Sequence, residues 1–339
     1  MLYGIAAACA ALLLTAVLAA LLRMPALRAG IVDRRRQRPL PVLGGVAVVA
    51  VTCLVAWAGE WLGVAPFGDG VGRLLAVAAG IALLGLVADV WRLRARVVVA
   101  GAAVAAACVV PYDETGAWGG LLAVGWIVFA TLAFKGLDHA DGLAGTVGVV
   151  TAFGAGVCAA AELMDGLAVL LSVFAAALTG FLMHNWHPAR VGLGACGSLF
   201  TGFLLSSAVV FTRAGYGLEQ SAGVVFSLSA VAAADFLLVV LARLTSRRPL
   251  LRRGPDHLAH RLRRLGPTPP GAVVLLGAGS FSSVLVGVLV HTGWTGDGAV
   301  LWVVGGVVFA VVVLLRIPVQ PPRRTVSTQV SGRLRVRNG

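Results

Sequence analysis

The stretch WIVFATLAFKGLDHADGLAGTVGVVTAFGAGVCAAA, residues 126–161, places a short polar segment between two strongly apolar runs. The polar segment KGLDHADGLAG, residues 135–145, contains the only lysine of the chain, two aspartates three positions apart and a histidine. An apolar run of about 20 residues can cross a bilayer as a helix. The pattern therefore predicts two membrane helices joined by a turn in which scarce charges are gathered.

The composition of the whole chain indicates a membrane protein. Of its 339 residues, 59% are hydrophobic and only 12% are charged, whereas a soluble domain carries about 25% charged residues. The mean hydropathy is +0.94. We therefore predict an all-α fold, a polytopic integral membrane helix bundle of about 11 transmembrane helices, formed by a single domain over residues 1–317. The basic tail, residues 318–339, is expected to be disordered and cytoplasmic. The eleven apolar runs are 2–22, 42–63, 71–91, 95–111, 119–134, 143–161, 164–183, 197–212, 222–244, 270–291 and 299–316.

The distribution of positive charge predicts the orientation in the membrane. If the N-terminus is outside, 25 of the 27 Lys and Arg residues fall on the cytoplasmic side, and only Arg73 and Arg213 fall outside. This asymmetry follows the positive-inside rule and places the C-terminus in the cytoplasm. The net charge of +13 is then explained by topology and by attraction to anionic membrane lipids, not by nucleic-acid binding. We expect a multi-pass protein of the plasma membrane.

Several acidic residues lie at unusual depth. Asp89 ends the third apolar run, and Asp235 lies well inside the ninth. A carboxylate at membrane depth is costly unless it is paired or faces a wet cavity, so we treat these residues, with Asp138 and Asp141, as functional candidates. The alternative, that they are solvated loop residues, stays open. The histidines predicted on the same cytoplasmic side are His139, His184, His187, His257 and His260.

Five stretches, in this order along the chain, resemble motifs of one enzyme family. They are VDRRRQRPLPVLGGVA (32–47), GLVADVWRL (85–93), LAFKGLDHADGLAG (132–145), GFLMHNWHPARVGLGACGSLFTGF (180–203) and PDHLAHRL (255–262). The family is the polyprenyl-phosphate N-acetylhexosamine-1-phosphate transferases, and the resemblance extends from Asp33 to Leu262. It implies an integral membrane enzyme that moves a sugar 1-phosphate from a UDP-sugar to a lipid phosphate at the cytoplasmic face, using magnesium.

The resemblance also implies roles for particular residues. Asp89, Asp138 and Asp141 would be catalytic residues and the ligands of Mg²⁺. Lys135, three residues before Asp138, is a further catalytic candidate that the family pattern does not itself imply. The implied partners are polyprenyl phosphate and a UDP-N-acetylhexosamine, and a homodimer is left open. The candidates for substrate or phosphate binding are Asn185, His257, His260 and Arg261. Two alternatives stay open: Asn185 only shapes a turn, and the segment with the other three only anchors the chain to anionic lipids.

Departures from the family pattern are concentrated in the same motifs. Ala88 and Ala195 stand where aspartates are expected, and the second of these is a metal ligand in the family. His139 replaces a glycine, and Lys135 replaces an asparagine. Because two carboxylates are lost and one ammonium is gained, we hypothesise that Lys135, held by Asp138 or Asp141, occupies the emptied metal position.

Three functions are consistent with these observations. The first is a working sugar-1-phosphate transferase that acts on polyprenyl phosphate in cell-envelope polysaccharide or peptidoglycan precursor synthesis. The second is a catalytically degenerate homologue that binds the lipid phosphate or the nucleotide sugar as a partner or regulator. The third is a transporter of a phosphorylated lipid or sugar, although the chain lacks the two related halves with broken helices that many transporters show.

Overall fold

A computed structural model describes residues 2–33, 39–68, 70–91, 93–247 and 256–317. These residues are predominantly helical, as predicted, and the predicted tail lies outside them. Besides the helices there are one antiparallel pair of two-residue strands, β1 (Val32–Asp33) and β2 (Leu40–Pro41), and two 3₁₀ turns. The helices are α1 (Leu2–Arg28), α2 (Gly44–Trp61), α3 (Val71–Trp91), α4 (Ala95–Val109), α5 (Tyr112–Leu137), α6 (Leu143–Ala161), α7 (Asp165–Asn185), α8 (Gly194–Thr212), α9 (Leu218–Leu228), α10 (Ala230–Thr245), α11 (Leu258–Leu262), α12 (Pro269–His291) and α13 (Val300–Leu315).

Each of the eleven predicted apolar runs corresponds to a helix or a helix pair. Among the described residues, nine helices are long and apolar enough to cross a membrane. The ninth run forms the pair α9 and α10, which is bent by 82° and counts as a tenth span if taken together. The fourth run forms the shorter helix α4. The chain is therefore a polytopic membrane helix bundle.

Side-chain contacts show that the helices alternate between two polar ends of the bundle. At the N-terminal end of α8, the last turn of α3 and the residue that caps α5 both reach the first turn of α8. At the C-terminal end of α8, Arg213 contacts His291 of α12, which in turn contacts Glu162 at the end of α6. Helices α3 and α5 both end where α8 begins. Helix α5 must therefore begin at the opposite end of the bundle, and α4, which connects α3 to α5, must cross the bundle.

Helix α8 is the centre of the bundle. All of its residues from Gly194 to Thr212 are buried, so its polar side chains need partners inside the protein. Its hydroxyl groups find them locally: Ser198 donates to the Gly194 carbonyl at 2.7 Å, and Thr201 donates to the Gly197 carbonyl at 2.8 Å. A helix with these small residues can be surrounded closely on all sides.

Small residues bring the backbone of α2 against the start of α8. The amide of Gly45 donates to the Leu193 carbonyl at 3.0 Å, and a Cβ added at Gly45 would collide with the backbone of Gly197. Only glycine permits this approach. The contact positions the first turn of α8, where the acidic residues of the candidate site converge.

Candidate functional site

Two of the predicted aspartates converge on the first turn of α8. Asp89 accepts hydrogen bonds from the amides of Ala195 (3.0 Å) and Cys196 (3.1 Å). Asp138 accepts one from the amide of Gly194 (3.1 Å). Amides at a helix N-terminus lack partners within the helix, and the helix dipole favours negative charge there. Asp89 and Asp138 are 49 positions apart in the sequence. The structure brings them together because both bind amides of one helix, which begins at Gly194.

The turn between α5 and α6, residues 138–142, is held by the loop after α7. Asn185 is buried; its side-chain oxygen accepts from the Gly142 amide (2.9 Å), and its side-chain NH₂ donates to the Val191 carbonyl (2.8 Å). Gly142 has φ +79°, a conformation that glycine adopts without strain. Asn185, predicted to bind substrate, therefore orders two loops of the site.

Asp141 faces the same loop. Its Oδ2 atom lies 3.0 Å from His187 Nδ1 and accepts from the Ala189 amide at 3.2 Å. The side chain of His187 is 40% exposed, so this pair borders solvent. Asp141 and Asp138 belong to one short turn but contact different neighbours.

A second polar cluster includes His139, the residue that follows Asp138. His257 donates from Nδ1 to Asp235 Oδ2 (2.8 Å), and the Leu258 amide donates to Asp235 Oδ1 (2.7 Å). The ring of His139 stacks on that of His257, with centroids 4.1 Å apart and planes 18° apart. Asp235 is only 1% exposed. Its carboxylate is therefore satisfied by α11 and not by solvent.

The protonation state of His139 follows from its surroundings. The pKa of His139 is lowered to about 3, mainly by burial; Asp235 opposes this shift, and His257 and His260 contribute to it. The neutral ring donates from Nδ1 to the Gly136 carbonyl at 2.8 Å, because a carbonyl oxygen can only accept. Its Nε2 atom is then a lone-pair acceptor, and this buried atom has no hydrogen-bond partner among the described residues.

Arg261 is placed differently from the phosphate contact predicted for it. The side chain is buried and donates from Nη1 to the carbonyls of Leu314 (2.8 Å), Leu315 (3.3 Å) and Ile317 (3.2 Å) at the end of α13. It also lies 3.9 Å from Asp256. Burial lowers the pKa of Arg261, and Asp256 counteracts that effect. These contacts give Arg261 a structural role, and its contact with phosphate stays a prediction.

The remaining predicted site residues, Lys135 and His260, lie near the end of the bundle where α8 begins. Lys135 is in the last turn of α5, one turn before Asp138, and is partly buried. The ring of His260 lies 5.0 Å from that of His139 between centroids. Their contacts with phosphate stay predictions.

The sequence analysis treated Asp235 as a functional candidate because of its depth, but it did not predict that Asp235 and His139 form a cluster. Two signals in the sequence point to it: a histidine where the resembling motif has glycine, and an aspartate inside an apolar run. Neither signal shows that the two residues meet, because they are 96 positions apart, at 139 and 235.

Comparison with known proteins agrees with this architecture. Residues 72–213 match the family described as glycosyl transferase family 4. A Streptomyces coelicolor protein, named only as an unconfirmed glycosyltransferase, is 64% identical over 327 residues, which cover 95% of this chain and 80% of that protein.

Two further relatives have more specific names. The decaprenyl-phosphate N-acetylglucosaminephosphotransferase of Mycolicibacterium smegmatis is 30% identical over 300 residues, covering 75% of this chain and 74% of that protein. The phospho-N-acetylmuramoyl-pentapeptide-transferase of Microcystis aeruginosa is 34% identical over 132 residues, covering 38% of this chain and 34% of that protein.

Proposed function

The chain belongs to glycosyl transferase family 4, and on that premise we propose that it transfers a sugar 1-phosphate from a UDP-N-acetylhexosamine to polyprenyl phosphate. The names of its relatives support an N-acetylated amino sugar as donor and a polyprenyl phosphate as acceptor. The charge asymmetry of the chain supports a reaction at the cytoplasmic face of the plasma membrane. Cell-envelope polysaccharide or peptidoglycan precursor synthesis would use such a product.

The observation that carries the proposal is the convergence of Asp89 and Asp138 on the first turn of α8. Three separate motifs contribute to it: the end of α3, the end of α5 and the start of α8. Asp141 follows in the same turn as Asp138. A chain that had drifted from its family at random would not be expected to keep three motifs in contact.

The site requires a cation when a substrate diphosphate is bound. The first amides of α8 already bind carboxylates, so the helix end does not offer them to phosphate, and the carboxylates themselves repel it. Lys135 at the end of α5 is a protein cation close in sequence to Asp138. We propose that its ammonium group faces the diphosphate and stabilises the negative charge of the transition state.

The carboxylates also fit magnesium, although Ala195 provides no ligand. Mg²⁺ is commonly held by one or two carboxylates together with substrate phosphates and water. Each carboxylate oxygen has two lone pairs, so the oxygens of Asp89 and Asp138 that accept a backbone amide can still bind a cation. Bound there, magnesium would neutralise charge on the phosphoryl oxygens.

The transfer reaction requires little covalent chemistry from the protein. An oxygen of the lipid phosphate attacks the β-phosphorus of the UDP-sugar, the bond from that phosphorus to the bridging oxygen breaks, and UMP leaves with the electron pair. A phosphate monoester has a second pKa of about 6, so the attacking oxygen is largely deprotonated at neutral pH. The loss of a possible base at Ala88 therefore does not prevent the reaction.

Release of UMP tests the proposal directly. The purified full-length chain is incubated with undecaprenyl phosphate and a panel of UDP-N-acetylhexosamines, with and without Mg²⁺. We expect UMP release that falls at least about 100-fold in Asp89→Asn and Lys135→Met, a loss typical of removing one electrostatic contact in a transition state. Asp165→Asn, at the opposite end of the bundle, is the matched control and should keep full activity.

The other two functions predict different results. Binding of the donor or of the lipid phosphate without UMP release would support a degenerate, regulatory homologue. Uptake of a phosphorylated lipid or sugar into liposomes would support a transporter. Equal UMP release with and without Mg²⁺, abolished in Lys135→Met, would support the hypothesis that lysine replaces the metal.

A further inference from the structure

We propose that His139, Asp235 and His257 form a binding site for a transition-metal ion of the Zn²⁺ class, separate from the carboxylates at the start of α8. This inference does not depend on the proposed transfer reaction. Two imidazole rings and one carboxylate suit Zn²⁺ and similar ions, whereas Mg²⁺ prefers oxygen ligands.

The geometry is the first support. One potential ligand atom from each of the three residues lies within 4.8 Å of the other two. The three residues come from three elements: the turn after α5, the interior of α10 and the residue that caps α11. The approach of α5 to α10 is close, because a Cβ added at Gly136 would be 3.5 Å from Asp235 Oδ2.

The orientation of His139 is the second support. Its Nδ1–H donates to the Gly136 carbonyl, which leaves a lone pair on Nε2. That atom is buried and has no hydrogen-bond partner among the described residues. A buried acceptor without a partner is unfavourable, and an imidazole whose other nitrogen donates to a carbonyl has the orientation typical of a metal ligand.

The surrounding groups also resemble a metal site. Asp235 is held by the Leu258 amide through its second oxygen, so its position does not depend on the metal. The ring of His260 has its centroid 5.0 Å from that of His139, so a third imidazole lies beside the three proposed ligands. Three protein ligands would leave one coordination position open.

Metal content and spectroscopy test the inference without any measurement of turnover. The full-length chain is purified with a histidine-free affinity tag, stripped with a chelator and dialysed against Zn²⁺ or Co²⁺. We expect about one ion bound per chain, visible ligand-field absorption with Co²⁺, and no displacement by millimolar Mg²⁺.

Variants locate the ion. His139→Gly and His257→Gln should each weaken Zn²⁺ binding at least about 10- to 100-fold. His187→Gln, which removes an exposed histidine next to Asp141, should bind as the unchanged chain does. His139→Gly changes a residue in a turn between helices, so it remains informative if His257→Gln fails to fold.

Two results would overturn the inference. One is a stripped chain that takes up no Zn²⁺ or Co²⁺ under these conditions. The other is a His139→Gly variant that binds Zn²⁺ with unchanged affinity. A chain that binds the ion at this cluster but releases no UMP would support the metal site and count against the proposed function alone.

Discussion

Asp89 shows how one side chain can serve both folding and chemistry. It accepts two amides at the first turn of α8, so it caps the central helix of the bundle, and it also supplies a carboxylate to the candidate site. The sequence indicated that Asp89 was functional because a carboxylate ends an apolar run. It could not indicate the cap, because that contact joins residues 89 and 195 across the fold.

The cap predicts an effect on stability that is separate from activity. We expect Asp89→Ala to lower the free energy of unfolding by about 1–2 kcal/mol, the usual cost of removing a helix cap. Glu219→Ala, which removes an exposed acid in the first turn of α9, should change it by less than about 0.5 kcal/mol. Thermal unfolding in detergent would measure both. Equal stability of the two variants would show that the Asp89 contacts do not stabilise α8.

At the scale of elements, the end of α13 depends on a buried cation. Arg261 donates to three carbonyls there, and the last carbonyls of a helix have no partners within it. Next to it, Arg243 lies 3.5 Å from Asp256. Cations at a helix C-terminus are also favoured by the helix dipole. Sequence alone assigned Arg261 to phosphate because it belongs to a basic, histidine-containing motif.

Substitutions at Arg261 and at Arg263 would distinguish a structural role of Arg261 from a role in binding phosphate. Arg261→Met should destabilise the protein by about 3 kcal/mol, because it leaves the carbonyls at the end of α13 without their buried donor and leaves Asp256 with Arg243 as its remaining buried ion-pair partner. Arg263→Met, an exposed position in the next turn, should cost less than about 0.5 kcal/mol. The readout is the unfolding midpoint together with binding of polyprenyl phosphate. Weaker lipid binding at unchanged stability would instead favour the phosphate contact predicted from sequence.

At the scale of the whole molecule, the topology predicted from charge and the side-chain contacts separate the same residues into two ends of the bundle. The predicted topology places Glu162, Arg213 and His291 on the outer side of the membrane, and in the structure these three side chains meet at one end of the bundle. The same topology places Asp89, Asp138 and Asn185 on the cytoplasmic side, and their contacts lie at the opposite end of the bundle. The contacts establish two ends, and the assignment of each end to a leaflet stays a prediction.

Cysteine labelling would assign the ends. In a chain whose five cysteines are replaced by serine, Glu219→Cys should react with a membrane-impermeant maleimide in intact cells. Arg263→Cys should react only after the membrane is permeabilised. The reverse pattern would place the candidate site outside and would exclude a cytoplasmic UDP-sugar as its substrate.

The sequence by itself determined the class of fold and the motifs. Long apolar runs specify membrane helices locally, since a backbone in lipid must satisfy its own hydrogen bonds, and the family resemblance identified Asp89, Asp138 and Asp141. Only the tertiary structure decided that Arg261 caps a helix, that Asn185 orders loops, and that His139 meets Asp235. The physical reason is that these roles are contacts between distant segments, and a side chain's partner depends on how the helices pack, not on its neighbours in the chain.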